Sequence, residues 1–210
     1  MLYLKGYFMH KIFTYTPSQG FGSNCYLLQS GEDFAIVDPS VSYSEILSKH
    51  PQIEGRVKYV LLTHAHFDHI LAINSWAEIA DIYVGEGDGT SLSDPYYNCY
   101  LGFYGIEDGY YGKYTMVDQS TVLSLGDGAI TVSMCPGHTR GGVSYRFENS
   151  VFIGDTLFDG GGFGRTDLPG GDYQTLQQTL VRIITHERDC TFYPGHGAPT
   201  TLRKVLRDFS

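Results

Sequence analysis

The chain has 210 residues, is 42% hydrophobic and 18% charged, and carries a formal net charge of −9. Such a chain is long enough to bury a sizeable core, and its acidic balance disfavours nucleic acid, whose phosphates must be neutralised by Lys and Arg. No run approaches the roughly 18 apolar residues that a membrane-spanning helix needs, so neither a membrane nor a nucleic-acid partner is expected.

Residues 1–10 read as an N-terminal extension to one domain spanning 1–210, with Met9 as an alternative start. Lys5, Gly6 and His10 interrupt any signal-peptide apolar region, which makes the cytoplasm the expected location. Short strands are predicted over 12–15, 25–29 and 34–38, separated by the turn signals Ser18-Gln19-Gly20 and Ser30-Gly31-Glu32-Asp33. A helix follows over 43–50, with Ser42 as N-cap and Pro51 as stop. Residues 57–62 read as a buried strand, 68–79 as a helix with Ile70, Leu71, Trp76 and Ile79 on its apolar stripe, and 82–84 as a strand. Segment 86–120 is rich in Tyr and Gly and shows little periodicity; Tyr96, Tyr97, Tyr100, Tyr104, Tyr110, Tyr111 and Tyr114 fall in it. It reads as an insertion or lid, or else as a packed excursion over the core or a dimer contact. Strands are predicted next at 130–134, 143–147 and 151–153. A helix over 173–185 has a stripe of Leu176, Leu180, Ile183 and Ile184. A strand at 191–193 and a helix over 201–208 complete the chain. Two halves, each with strands followed by helices, suit two stacked sheets with helices outside. Cys25, Cys99, Cys135 and Cys190 form no CxxC pair and read as buried apolar residues. Cys135 stands three residues before His138, but its place at a strand end reads as core.

The run Thr63-His64-Ala65-His66-Phe67-Asp68-His69 holds three imidazoles and a carboxylate within six residues. These are ligand types for zinc, iron or manganese. His64 and His66 alternate onto one strand face. Asp68 and His69 fall where a helix begins and point elsewhere, so two ligand pairs with two directions imply two metal ions. The alternative is a His-rich surface loop or a set of core histidines. Three further candidates follow apolar runs and sit beside Gly: His138 in Pro136-Gly137-His138-Thr139, Asp155 in Gly154-Asp155-Thr156, and His196 in Pro194-Gly195-His196-Gly197. Four sites of one design point to a shared metal centre on loops held by a rigid scaffold.

Together HxHxDH, GHT, GDT and PGHG resemble the metallo-β-lactamase superfamily of metallohydrolases, over about residues 23–201. Gly154-Asp155-Thr156-Leu157-Phe158 and Gly161-Gly162-Phe163-Gly164-Arg165-Thr166-Asp167 resemble its glyoxalase II and persulfide dioxygenase branch. Pro194-Gly195-His196-Gly197-Ala198-Pro199-Thr200-Thr201 is similar to a compact form of glyoxalase II (hydroxyacylglutathione hydrolase) without a C-terminal helical domain. The resemblance implies an α/β fold, a four-layer αββα sandwich with metals at one edge. It implies that His64, His66 and His138 hold one divalent ion and Asp68, His69 and His196 a second, with Asp155 bridging. The ions are expected to be zinc, with iron or manganese as alternatives. The superfamily's true β-lactamases often place Cys where Asp155 stands, and oxygen-reducing diiron relatives usually carry Glu in place of the middle His. The GHT motif continues as Arg140-Gly141-Gly142 where relatives commonly have Pro-Gly, so a local loop difference is expected.

The activity implied is hydrolysis of a small-molecule thioester, an acylglutathione such as S-lactoylglutathione, by attack of a metal-bridged hydroxide. Asp68 would orient that hydroxide and shuttle its proton. Arg165 would contact a substrate carboxylate, or else pair with Asp167. The alternatives are an Fe(II) persulfide dioxygenase, a hydrolase of another ester, lactone, phosphodiester or β-lactam, and a metal-binding scaffold without turnover. Oligomeric state stays open.

Overall fold

A computed structural model describes residues 10–18, 20–187 and 189–208; of the expected extension over 1–10, residues 1–9 lie outside them. Among these residues the chain forms two six-stranded sheets. The first contains β1 (Lys11–Tyr15), β2 (Cys25–Ser30), β3 (Asp33–Val37), β4 (Val57–Leu62), β5 (Asp81–Gly85) and β6 (Thr115–Val117), side by side in chain order. The second contains β7 (Val122–Leu125), β8 (Gly128–Met134), β9 (Val143–Phe147), β10 (Ser150–Gly154), β11 (Thr191–Pro194) and β12 (Thr200–Thr201), again in chain order. The helices are α1 (Tyr43–Lys49), α2 (Ile73–Trp76), α3 (Tyr100–Tyr104), α4 (Tyr173–His186) and α5 (Leu202–Asp208).

Period-two alternation sorts the strand residues into layers. Cys25, Leu27, Phe34, Ile36, Val60 and Leu62 face outward and pack with Ile46 of α1 and with Ile73 and Trp76 of α2. Their neighbours Tyr26, Leu28, Ala35, Val37 and Leu61 face inward and meet Ile130, Val132, Tyr145, Phe147 and Phe152 of the second sheet. On the far side Val151, Ile153 and Phe192 pack against Ile183 of α4 and Leu202 and Val205 of α5. Three apolar interfaces thus join four layers, αββα. Strands β2–β4 and β10 read as near-continuous apolar runs because both of their faces are covered.

The helix ends follow the sequence. Ser42 caps α1 by accepting from Glu45 N–H at 3.3 Å, and Asp172 caps α4 by accepting from Thr175 N–H at 2.7 Å. The helix predicted over 68–79 is not continuous. A 3-10 turn spans Phe67–His69, and α2 starts at Ile73. An α-helix here would need Ala72 N–H to reach the Asp68 carbonyl. That carbonyl instead accepts from Ser23 N–H at 3.2 Å, and Ala72 N–H donates to the Pro39 carbonyl at 2.9 Å. Tertiary partners take both ends of the bond, and the segment breaks.

Strands β6 and β7 were not visible in the sequence. Each is a sheet edge with exposed residues such as Met116 and Val122, so the alternation that marks a half-buried strand is faint. Segment 86–120 contains 3-10 turns at Glu86–Asp88 and Thr90–Ser93, then α3 and β6. It buries Leu92 and Tyr110 in the outer core of the first sheet, whereas Tyr96 and Tyr111 are exposed. The Asn98 carbonyl accepts from Phe67 N–H at 2.8 Å, and its side-chain amide donates to the Leu92 and Asp108 carbonyls.

Strand direction places the site. Strands β3, β4 and β5 run parallel, so their C-terminal ends share one edge. Strands β10 and β11 also run parallel, and β8 shares their direction because β9 is antiparallel to both β8 and β10. Crevices at the carboxyl ends of parallel strands are where α/β folds bind ligands. The two sheets are joined near this edge by Val143 N–H to the Thr63 carbonyl at 2.8 Å and Asn24 N–H to the Gly195 carbonyl at 2.7 Å.

Candidate metal centre

Every candidate ligand follows one of those strand ends. His64, His66, Asp68 and His69 follow β4; His138 follows β8, Asp155 follows β10 and His196 follows β11. The structure brings all seven together. Donor atoms of His64, His66 and His138 lie within 4.8 Å of one another, as do those of Asp68, His69 and His196, and those of His64, His69 and Asp155. The Asp155 carboxylate stands between the groups. Its Oδ1 is 3.4 Å from His69 Nε2, and its Oδ2 is 3.5 Å from His138 Nε2 and 3.6 Å from His196 Nε2. Asp68 Oδ2 is 3.0 Å from His196 Nε2 and 3.7 Å from His69 Nε2.

Hydrogen bonds decide which nitrogen each ring presents. The Arg165 carbonyl can only accept, so His138 Nδ1 carries a proton and donates to it at 2.7 Å. His69 Nδ1 donates to Asp38 Oδ2 at 2.8 Å. Thr63 Oγ1 spends its single proton on Asp38 Oδ2 at 2.7 Å, so it accepts from His64 Nδ1 at 3.1 Å. In each of the three rings in its neutral form, Nε2 is left with a lone pair aimed into the cluster.

Those lone pairs have no protein partner. The Nε2 atoms of His64, His66, His69 and His138, together with Asp155 Oδ1, are buried and make no hydrogen bond. A buried unsatisfied polar group costs about 1–3 kcal/mol, and acceptors cannot satisfy one another. A cation satisfies them all, so this donor set, nitrogen with carboxylate oxygen, fits divalent metal ions.

At His64, His66, Asp68 and Asp155 the charge states agree. Burial, reinforced by neighbouring imidazoles, holds His64 well below the ordinary histidine range, and burial beside His138 lowers His66 to about 3. Both are neutral at pH 7 and free to donate electrons. Burial pushes the Asp155 carboxyl up, but His69, His138 and His196 outweigh it and hold Asp155 well below the carboxylate range. Asp68 is likewise lowered by His69 and His196 against the effect of burial. At His69 burial opposes the charged form, but the carboxylates of Asp38, Asp68 and Asp155 outweigh it and raise the ring well above the usual range; this negative charge draws a cation to Nε2, either a proton or a metal ion in its place.

Two buried aspartates that sequence reasoning missed support these loops. Asp38 follows β3 in the left-handed region at φ 51°, which Asp tolerates better than most residues. Its Oδ1 accepts from Thr63 N–H at 2.8 Å, so one carboxylate holds the start of the histidine loop, the Thr63 hydroxyl and the Nδ1 proton of His69. The available signal was a charged residue closing the buried run Phe34–Val37. Asp88 follows β5 and accepts from Ala65 N–H at 3.2 Å, Thr139 Oγ1 at 2.7 Å and Gly141 N–H at 2.8 Å. It ties the loop between His64 and His66 to the loop of His138. Nothing in Gly85-Glu86-Gly87-Asp88 announced it.

Glycines let backbone close on the cluster. A Cβ at Gly195 would collide with the Asp155 carboxylate and the His69 ring, and one at Gly164 with the Asp155 carbonyl and the His138 ring. Cys135 is buried and free; burial raises its thiol, and its Sγ lies 3.4 Å from Ser144 Oγ.

A cavity of about 480 Å³ opens over the cluster. Arg165 lines it, but its guanidinium is already forked onto Asp167, with Nε–Oδ1 at 2.8 Å and Nη2–Oδ2 at 2.7 Å. From segment 86–120 the cavity takes Cys99 and Phe103 rather than any tyrosine. Tyr97 instead stacks under Arg140, with the guanidinium 4.9 Å from its ring.

The family model described as metallo-beta-lactamase superfamily matches residues 19–196. A probable metallo-hydrolase of Streptococcus pyogenes is 33% identical over 195 residues, covering 86% of this chain and 82% of its own. A hydroxyacylglutathione hydrolase of Haemophilus influenzae is 29% identical over 199 residues, covering 91% and 93%. Among solved structures, BLEG-1 B3 metallo-β-lactamase superposes with a TM-score of 0.83 at 28% identity, covering 95% of this chain and 97% of that one.

Proposed function

The chain belongs to the metallo-β-lactamase superfamily, and on that premise we propose that it is a metal-dependent hydrolase that cleaves a thioester, an acylglutathione being the first to test. The observation that carries the reading is the set of five buried, unpartnered donor atoms converging beside Asp155. The hydroxyacylglutathione hydrolase of Haemophilus influenzae supports the thioester. His64, His66 and His138 would hold one ion, Asp68, His69 and His196 the other, and Asp155 both. Zinc is proposed, with iron or manganese as alternatives. Bound divalent ions lower the pKa of water toward neutrality and polarise a carbonyl oxygen.

The chain's own groups do the rest. Asp68, ionised through His69 and His196, is placed to orient the attacking water and accept its proton. Water adds to the carbonyl carbon, the C–S bond breaks, and a carboxylic acid and a thiol are released. A thiolate is a weak base and leaves without full protonation. Asp38 and the Arg165 carbonyl keep the imidazoles turned inward. Arg165 is proposed as the contact for a substrate carboxylate; its pair with Asp167 is exposed and can exchange partners at little cost.

The test is hydrolysis of S-D-lactoylglutathione by metal-loaded protein, followed as loss of thioester absorbance with and without chelator. Chelator-sensitive turnover is expected. No turnover with both ions demonstrably bound would remove glutathione thioesters, and oxygen uptake on glutathione persulfide would then separate the dioxygenase alternative from a hydrolase of another ester or a β-lactam.

A further inference from the structure

The walls of the cavity over the metal centre are aromatic. Phe67 and Phe103 approach from the side of the first sheet, with ring centroids 5.1 Å apart. Phe158 and Phe163 approach from the side of the second, and the Phe158 ring is 6.1 Å from that of His196. Phe21, from the loop between β1 and β2, stands at the rim. Phe21, Phe103 and Phe163 are 72%, 47% and 43% exposed. Three large apolar side chains from three separate segments are held in water around one opening, which is how a cavity awaiting an apolar ligand looks.

Polar recognition is sparse by contrast. Beyond the histidines, the cation lining this cavity among the described residues is Arg165, forked onto Asp167. Nearby Lys204 is paired with Asp159 at 2.6 Å. An acyl hydroxyl turned toward these rings would lose water without gaining a partner. A phenyl or alkyl group would cover the exposed rings and be stabilised by doing so.

We infer that the group attached to the scissile carbonyl is apolar, an aromatic or extended alkyl acyl chain seated among Phe67, Phe103, Phe158 and Phe163, rather than a small hydroxyacyl group such as lactoyl. Because rings stand on both sides of the metal cluster, the acyl group meets an aromatic wall in either orientation of the thioester. The inference rests on the thioesterase reading above and adds the acyl class to it.

The experiment keeps the thiol constant and varies the acyl group. kcat/KM is measured for S-phenylacetylglutathione, S-acetylglutathione and S-D-lactoylglutathione with the metal-loaded full chain. A preference of about tenfold or more for phenylacetyl is expected, and Phe103→Ala and Phe163→Ala should each shrink that ratio several-fold. Equal values for the three thioesters would overturn the inference and leave the thioesterase standing. Should no thioester turn over, that reading falls, and binding decides the subsite by itself. Calorimetric titration would compare 4-phenylbutyrate with butyrate. Binding about tenfold tighter for the phenyl acid, lost in Phe103→Ala, sustains the apolar subsite; equal affinity overturns it.

Discussion

The two sheets furnish the two halves of the candidate metal centre in different ways. The first sheet contributes His64, His66, Asp68 and His69 from one loop after β4, and braces that loop with side chains: Asp38 from the end of β3 and Asp88 from the end of β5. The second sheet contributes His138, Asp155 and His196 from three loops, held by side chains such as Asp88 at Thr139 and Gly141 and Asn24 at the Pro194 and Gly197 carbonyls, and also by close backbone contacts. The Arg165 carbonyl holds His138, Gly164 N–H donates to the Asp155 carbonyl at 2.8 Å, and Gly195 N–H to the Gly154 carbonyl at 2.9 Å. Both halves depend on buried polar side chains, and the second depends also on the absence of a Cβ at Gly164 and Gly195. A buried carboxylate with several donors can orient a whole loop, whereas three separate loops converge only if nothing bulky stands between them.

The contrast can be broken at several points. Asp155→Ala removes the carboxylate that stands between both halves; metal stoichiometry by elemental analysis should fall, and turnover with it by several orders of magnitude. Retention of two ions and near-normal activity would sink the site assignment. Asp38→Ala acts on the first half alone. It orphans Thr63 N–H and the His69 ring N–H together, so stability by denaturant melt should drop by about 3 kcal/mol and metal affinity by about 10–100-fold. An unchanged melt would mean that Asp38 braces nothing. Gly195→Ala tests the second half: its Cβ would displace the Asp155 carboxylate or the His69 ring, so metal binding should suffer more than the denaturant midpoint. The reverse pattern, a collapsed midpoint with intact metal binding, would erase the distinction between the halves. Asp167→Asn is the mildest change. It frees an exposed guanidinium from an exposed partner, so stability should barely move, while KM for a glutathione thioester should shift if Arg165 meets substrate.

The legibility of each feature tracks how local its cause is. The His64–His69 run was readable because four candidate ligands crowd six residues, α1 because Ser42 caps it locally, and α4 because Leu176, Leu180 and Ile183 recur at helical spacing. The helix over 68–79 was misread because its interruption comes from Ser23 and Pro39, distant in sequence. Asp38 and Asp88 were invisible as supports because their partners lie at Thr63, His69, Ala65, Thr139 and Gly141, brought near only by strand order. The tyrosine-rich segment looked featureless because its order comes from contacts such as Asn98 with Phe67 and Tyr110 with the core.

By itself the amino-acid sequence determined the inventory of candidate ligands, the Gly-flanked strand ends that carry it, and the apolar alternation that stacks two sheets between helices. These are properties of residue type and short spacing. Tertiary structure alone decided which nitrogens of His69 and His138 face inward, and that phenylalanines from separate segments surround one opening. Those depend on groups tens of residues apart meeting at one edge of the sandwich, and a contact of that kind exists only once the parallel strands have set where each loop emerges.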